Sequence, residues 1–145
     1  MATVHRFASV LLVDRRGWLL LQERDEHPVI DPERWGLVGG HVEAGEEFEA
    51  AAYRELAEET GVELPPGALN LWLDVEVFHE AYGTLDSVQV WVAPTALTDT
   101  DIVVGEGRQI VFVEPARARA LDLTTAAARI VPEFLDSDAY RELVG

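Results

Sequence analysis

The sequence contains no cysteine, no lysine and no apolar run long enough to cross a membrane. The absence of cysteine excludes disulfide bonds, thiolate metal ligands and cysteine nucleophiles. The first 17 residues, MATVHRFASVLLVDRRG, hold an apolar stretch that charges soon interrupt, and they lack the small-residue cleavage pattern of a signal peptide. The lack of cysteine does not fix the compartment, but without a membrane-spanning run or a signal-peptide pattern we expect a cytoplasmic protein with no membrane partner.

Positive charge is also scarce. All 11 cationic side chains are Arg, and they are outnumbered by 27 Asp and Glu, so the formal net charge is −16. A surface of this sign repels nucleic acid backbones, and we therefore expect no nucleic acid partner. Phosphate compounds can still bind where divalent cations mediate. At 145 residues, of which 48% are hydrophobic, the chain is expected to form one domain over residues 1–145.

Apolar periodicity and turn residues predict an α/β domain, with helices on both faces of a mixed sheet. The proline-containing, charged segment 25–34 and the acidic segment 94–107 are predicted to be loops. Strands are predicted at residues 5–13, 18–22, 35–38, 69–78, 87–93 and 109–113, and helices at residues 46–60, 115–120 and 124–135.

The helix predicted at residues 46–60 carries a cluster of acids. Glu55, Glu58 and Glu59 are spaced i, i+3 and i+4, which places three carboxylates on one helical face. Such groups repel one another unless a cation lies between them, and hard divalent cations prefer oxygen ligands. Acidic helix faces are also common on solvated surfaces, so spacing alone leaves both interpretations open.

Residues 40–62, GHVEAGEEFEAAAYRELAEETGV, resemble the sequence signature of the Nudix hydrolase family, the Nudix box. Every fixed position of that signature is matched, whereas Val38 stands where family members often have Pro. The resemblance implies the family fold, an α/β/α sandwich with a mixed β-sheet between helices. The matching residues are Gly40, Glu46, Arg54, Glu55, Leu56, Glu58, Glu59, Gly61 and Val62.

The resemblance also assigns roles to residues of the box. It implies that Glu55, Glu58 and Glu59 bind a divalent metal, Mg²⁺ or Mn²⁺, and that the carbonyl group of Gly39 joins them. The positions matching Glu46 and Arg54 usually form a structural pair that holds the box loop against the helix.

The implied reaction is metal-dependent hydrolysis of a diphosphate bond in a nucleoside diphosphate linked to another group. A water molecule, polarised by metal and a carboxylate, attacks one phosphorus. The base varies among similar enzymes, and Glu55, Glu59 and the loop residue Glu106 are the candidates. Expected substrates are nucleoside triphosphates, oxidised nucleotides and nucleotide sugars. A nucleotide-sensing domain without hydrolysis is the alternative, although the retained box carboxylates favour an enzyme.

Residues outside the box are candidates for substrate binding. Basic residues placed like Arg24 contact substrate phosphate in similar enzymes, although Arg24 could instead form a surface ion pair with Glu23, Asp25 or Glu26. Arg34 is a weaker second candidate. An aromatic side chain of the long strand pair could stack on a base, although most such rings are core residues. The aromatic candidates are Trp72, Phe78, Tyr82 and Trp91. Many similar enzymes are homodimers, but the sequence does not indicate an interface.

Overall fold

The computed structural model describes residues 4–144, which form six strands and four helices. The strands are β1 (Arg6–Val13), β2 (Leu19–Glu23), β3 (Trp35–His41), β4 (Asn70–His79), β5 (Thr84–Pro94) and β6 (Gln109–Val113). The helices are α1 (Phe48–Thr60), α2 (Pro115–Ala120), α3 (Thr125–Leu135) and α4 (Asp138–Val144), with a short 3-10 turn at Asp99–Asp101. No helix within residues 4–144 has the length and apolar character needed to cross a membrane.

The predicted strands and helices are all present, with shifted ends and one addition. Helix α1 begins at Phe48, two residues later than predicted, because Glu46 lies in a turn where its amide donates to the carbonyl group of Glu43. Helix α4 was not predicted, since its sequence is short and has little apolar periodicity. Its placement depends on tertiary packing: the ring of Tyr140 meets that of Phe134 at 5.5 Å.

The six strands form one mixed sheet in the order β4-β5-β1-β3-β2-β6. Strand β1 pairs in parallel with β5, and every other pairing is antiparallel. The long β4–β5 hairpin is therefore joined to the rest of the sheet through β1. Because successive side chains of a strand point to opposite faces, each face of this sheet carries its own apolar layer.

Helices cover both faces of the sheet. Ala8, Val10 and Leu12 of β1 pack with the buried side of α1, whereas Leu11 and Val13 pack with α3. The residues of α1 in this contact are Ala51, Ala52 and Leu56, and those of α3 are Ile130, Val131 and Phe134. The predicted α/β/α sandwich with a mixed sheet is confirmed.

Strand β3 runs through the Gly39-Gly40 pair and ends at His41, three residues beyond the predicted end. At Gly39 the backbone φ is +147°, and a Cβ atom there would overlap the carbonyl oxygen of Ala8 on the neighbouring strand. Only glycine permits this close approach of β3 to β1. The glycine pair near the end of β3 therefore leaves a stretch without side chains next to helix α1.

Candidate active site

A cavity of about 380 Å³ opens on the face of the sheet that carries α3. Phe7 of β1 and Leu37 of β3 lie on this face, as expected because alternate side chains of a strand point to the same face of the sheet. Helix α1 packs on the opposite face, yet its Glu55 and Glu59 also line the cavity, because they reach it beside the glycine pair that ends β3. The cavity thus joins the box carboxylates to an apolar surface.

Glu59 is the most enclosed of the box acids, with 5% of the residue exposed. Its Oε2 accepts a hydrogen bond from the amide of Gly39 at 3.0 Å, and no Arg or His pairs with it in the part of the chain that the structure describes. Burial raises the pKa of Glu59 to about 8, and the negative charges of Glu55 and Glu106 contribute to the rise. This carboxylate is consequently unfavourable as an anion until a cation approaches.

Glu55 lies directly against the glycine pair. A Cβ atom added to Gly40 would come within 2.6 to 2.7 Å of the Glu55 carboxylate, so only glycine leaves room for this acid. The Glu55 side chain is 13% exposed, and its Oε1 accepts from Nη1 of Arg54 at 2.9 Å. Burial raises the pKa of Glu55 despite the opposing effect of Arg54.

Arg54 joins the box loop to the helix. Its Nε and Nη2 donate to Oε2 and Oε1 of Glu46 at 2.8 and 2.9 Å, and Nη2 also donates to the carbonyl oxygen of His41 at 3.0 Å. The bidentate bond from Arg54, helped by the amide of Glu43, lowers the pKa of Glu46 to about 2. Arg54 therefore links the helix, the box turn and the end of β3.

Glu58 occupies a different position from the other two box acids. Its side chain is 59% exposed, accepts from Arg54 Nη1 at 3.2 Å and does not line the cavity. Within residues 4–144, the one set of three acidic or histidine side chains whose ligand atoms all lie within 4.8 Å of one another is Asp25, Glu26 and His27. The box carboxylates are spread more widely, because Arg54 lies between Glu55 and Glu58.

Glu106 is brought to the same end of the cavity by a loop attached to α1. The amide of Gly105 donates to the carbonyl oxygen of Glu59 at 2.7 Å. On the other side, Gln22 Nε2 donates to the carbonyl oxygen of Glu106 at 2.9 Å. Glu106 lines the cavity and is near enough to raise the pKa values of Glu55 and Glu59.

The two arginines proposed from the sequence are placed differently. Arg24 lines the cavity, and its buried Nε has no hydrogen-bond partner among the described residues. Arg34 lies outside the cavity with 46% of its side chain exposed, 3.8 Å from a carboxylate oxygen of Asp31 and 3.7 Å from one of Asp122. The structure therefore gives the prediction for Arg34 no geometric support.

Of the four aromatic candidates, Tyr82 alone lines the cavity. Trp72 packs on Phe134 in the core at 5.0 Å, Trp91 packs on the α1 side, and Phe78 is 52% exposed.

The sequence analysis missed a pair on the β4–β5 hairpin, His79 and Asp86, whose Nδ1 and Oδ2 atoms are 2.7 Å apart. A His and an Asp on opposite sides of a predicted hairpin turn were the signal that could have found it.

The donor set at the acidic end suits a hard divalent cation. Glu55, Glu59 and Glu106 offer only carboxylate oxygens, and no thiol exists in the chain. The uncompensated burial of Glu59 is a second indication, because a nearby cation would remove the cost of its negative charge. The described residues therefore fit a divalent metal ion at this end of the cavity.

Comparison with known proteins agrees with this geometry. The family model described as NUDIX domain matches residues 3–134. The chain belongs to the NUDIX family. The dihydroneopterin triphosphate diphosphatase of Escherichia coli (strain K12) is 31% identical over 137 residues, which cover 85% of this NUDIX protein and 83% of the enzyme.

Two further matches show how much of the chain the similarity covers. The m7GpppN-mRNA hydrolase NUDT17 of Bos taurus is 36% identical over 74 residues, 51% of this NUDIX protein but only 24% of the relative's own length. The crystal structure of a MutT NUDIX hydrolase from Burkholderia pseudomallei superposes with a TM-score of 0.72 at 27% identity, covering 90% of this protein and 97% of that chain. The predicted family and the predicted enzyme class, a Nudix-type hydrolase of diphosphate bonds in nucleotide-like compounds, are confirmed. Enzymes of this family generally use a divalent metal, which agrees with the acidic end of the cavity.

Proposed function

We propose that this NUDIX protein hydrolyses a diphosphate bond in a triphosphate whose other end is a nucleoside or a similar heteroaromatic group. One observation carries the proposal: the buried carboxylate of Glu59, which has no cationic partner within residues 4–144, shares one cavity with Glu55, Glu106 and Arg24. Among the described residues, the cavity thus holds a buried acid without a cationic partner and a buried guanidinium nitrogen without a hydrogen-bond partner, a combination that suits a metal-bound polyanion.

The acids are proposed to hold the metal, and Arg24 to bind phosphate. Glu55 and Glu59 already line the cavity, and the carbonyl group of Gly39 lies at the same strand end. Glu58 joins these ligands only if its carboxylate leaves Arg54, and its exposed side chain is free to turn. A bound Mg²⁺ or Mn²⁺ supplies charge neutralisation for the phosphates and acidifies water. Arg24 Nε gains an acceptor when a phosphate oxygen enters the cavity.

Three carboxylates are candidates for the base, and Glu106 is the one we favour. It is exposed on a loop, so solvent reaches its carboxylate, whereas the burial of Glu59 favours the protonated form, which cannot act as a base. Hydrogen bonds from Gly105 to the Glu59 carbonyl group and from Gln22 to the Glu106 carbonyl group hold the loop close to the metal ligands. Glu55 and Glu59 remain the alternatives if Glu106 proves dispensable.

The group attached to the triphosphate is proposed from the Escherichia coli relative, most of whose length is matched. That enzyme is a dihydroneopterin triphosphate diphosphatase, so pteridine and purine triphosphates are the first substrates to test. Arg34 stays a prediction as a substrate contact, with the lower priority that its position outside the cavity indicates. We further propose one domain over residues 1–145, a cytoplasmic location and no nucleic acid partner. We also propose a homodimer, and size-exclusion chromatography with light scattering would test this oligomeric state.

A phosphate-release screen tests the proposed function directly. The purified protein is incubated with Mg²⁺ or Mn²⁺ and with nucleoside triphosphates, a pteridine triphosphate, ADP-ribose, nucleotide sugars, dinucleoside polyphosphates and capped RNA, followed by phosphatase or pyrophosphatase. We expect metal-dependent cleavage of triphosphates, abolished by EDTA and restored by added metal. Activity that persists after thorough chelation would contradict the mechanism. Thermal stabilisation by nucleotides without any cleavage would favour the nucleotide-sensing alternative.

A further inference from the structure

The carboxylate of Asp86 is fully buried behind the cavity wall and is saturated with hydrogen bonds. Its Oδ1 accepts from the amide of His5 at 3.0 Å and from Oγ1 of Thr84 at 2.7 Å, and its Oδ2 lies 2.7 Å from Nδ1 of His79. Burial by itself would raise the pKa of Asp86, but the bonds from Thr84, His5 and His79 together lower it. Asp86 is therefore an ionised acceptor.

An ionised carboxylate has no proton to donate, so Nδ1 of His79 must be the donor in this bond. In the neutral imidazole, Nε2 then carries a lone pair. This Nε2 has no hydrogen-bond partner among residues 4–144 and is not fully enclosed by them. Since the ring of His79 is 5% exposed and lines the cavity, the accessible acceptor meets the cavity.

A group of flat rings adjoins this acceptor through Phe7. The ring of Phe7 lies 5.3 Å from that of His79, edge to face, and 4.4 Å from that of His41. Tyr82 is held by stacking on His5 at 3.9 Å, and all of these rings except His5 line the cavity. Aromatic walls of this kind favour a flat heteroaromatic ring, which gains contact area and stacking there.

From this geometry we propose that His79, oriented by Asp86, is a specificity-determining residue that accepts a hydrogen bond from an N–H group of the substrate's heteroaromatic ring. The inference rests on the proposed function, because it names the substrate class of the same cavity. A ring that covers His79 without supplying a donor leaves a desolvated acceptor unpaired, which penalises that substrate.

Two substrates of nearly the same shape test the proposal. Inosine triphosphate has a lactam N–H on its six-membered ring, whereas purine riboside triphosphate has only acceptors and C–H groups there. We expect the wild-type protein to favour inosine triphosphate in kcat/KM by at least about tenfold, the effect of one hydrogen bond. Assays are made at about pH 8, above the ordinary titration range of imidazole.

Asp86→Asn should invert the preference. The Asn Oδ1 keeps the donors from His5 and Thr84, while its Nδ2 donates to Nδ1 of His79 and moves the imidazole proton to Nε2. Nε2 then donates, and purine riboside triphosphate becomes the better substrate, because its ring has a bare nitrogen acceptor at the position where inosine triphosphate has the lactam N–H. A residue that merely supported the fold would lose stability without this inversion.

His79→Asn removes the acceptor but keeps Asp86 satisfied, because the Asn amide takes the position of Nδ1. The preference should fall from about tenfold towards equality, mainly through KM. His27→Asn is the matched control, since the His27 side chain is 80% exposed, and it should retain the wild-type preference. Equal use of both substrates by the wild-type protein, or an unchanged preference in both His79→Asn and Asp86→Asn, would overturn the proposal.

Nitrogen-15 NMR of the imidazole rings separates this proposal from the proposed function. We expect a protonated Nδ1 and a bare Nε2 for His79, with inosine triphosphate shifting the Nε2 resonance and purine riboside triphosphate leaving it in place. Such a shift without hydrolysis of either nucleotide would reject the proposed function and support the role of His79. Hydrolysis without the shift would support the proposed function and reject the role of His79. The absence of both hydrolysis and the shift would reject the two proposals together.

Discussion

The amide of Gly39 donates to Oε2 of Glu59 at 3.0 Å, and this bond joins the end of strand β3 to the end of helix α1. It connects a glycine just before the box to the last acid of the box, 20 residues later. Because Glu59 is 5% exposed, the same contact fixes an acid that solvent hardly reaches. The glycine pair and the box helix therefore act as one unit.

Glu59→Gln should abolish most of the activity and leave the fold intact. The glutamine Oε1 still accepts from Gly39, but the neutral amide no longer attracts a cation. We expect kcat/KM to fall by at least about a hundredfold, the upper end of the effect of losing a group that supports a metal site, with Tm unchanged. Glu58→Gln should also lower kcat/KM. Glu49→Gln, an exposed change on the same helix, is the control. Full activity in Glu58→Gln and Glu59→Gln would contradict the metal-site assignment.

Gly40→Ala should disable the site by displacing one side chain. The new Cβ would lie 2.6 Å from the carboxyl carbon of Glu55, closer than the 3.4 Å at which ordinary contacts begin, so that flexible side chain must move by close to an ångström. Misplacement of about 1 Å can cost roughly a hundredfold in rate. We expect a fall of that order in kcat, similar to that in Glu55→Gln, with an unchanged circular dichroism spectrum. Wild-type kcat in the alanine variant would refute the placement of Glu55.

Arg24→Ala tests the proposed phosphate contact. Since Arg24 Nε lacks a partner in the described structure, the substrate is expected to supply one. Loss of a charge-assisted hydrogen bond should raise KM by about tenfold to a hundredfold, with a smaller change in kcat. Arg141→Ala on helix α4, where the guanidinium pairs with Asp138, serves as the control. Kinetics identical to those of the wild type would contradict the proposed phosphate contact of Arg24.

The Glu46–Arg54 pair predicts a specific acid sensitivity. Arg54 lowers the pKa of Glu46 from 4.5 to about 2, so the folded protein keeps this carboxylate ionised where the unfolded chain already binds a proton. Its contribution to the free energy of unfolding is complete above about pH 4.5 and is lost as the pH falls towards about 2. Urea unfolding of the wild-type protein and Glu46→Gln should therefore differ most at neutral pH and converge in acid.

Glu47→Gln is the matched control for that experiment. Glu47 is the neighbouring acid, and its side chain makes no capping hydrogen bond to helix α1. Its variant should follow the wild-type stability curve across the pH range. A stability difference between Glu46→Gln and wild type that does not change with pH would show that the carboxylate's charge is not what stabilises the fold.

The local elements and the spacing of the box acids could be predicted from the sequence, because both follow from the periodicity of a single helix or strand. Alternation along β1 predicted a strand, and the i, i+3 and i+4 spacing predicted that Glu55, Glu58 and Glu59 share a helical side. Spacing does not report burial. Glu59 is enclosed and Glu58 is 59% exposed, although they are adjacent in sequence.

Residues distant in sequence were predicted less well. Arg24 and the weaker candidate Arg34 were both proposed from the sequence, yet of the two only Arg24 lines the cavity, because the loop between β2 and β3 turns Arg34 towards Asp31 and Asp122. Likewise, the contact between His79 and Asp86 depends on the register of the β4–β5 hairpin.

The sequence by itself determined the family, the reaction class and the set of acids that follow the glycine pair, since these are written in the order and spacing of residues 39–62. Tertiary structure alone decided which of those acids is buried, that Glu106 lines the same cavity, and that the cavity also contains His79 hydrogen-bonded to a buried Asp86. The physical reason is that spacing along one element is set by local backbone geometry. Burial, charge repulsion and contacts between strands arise only when distant segments pack together.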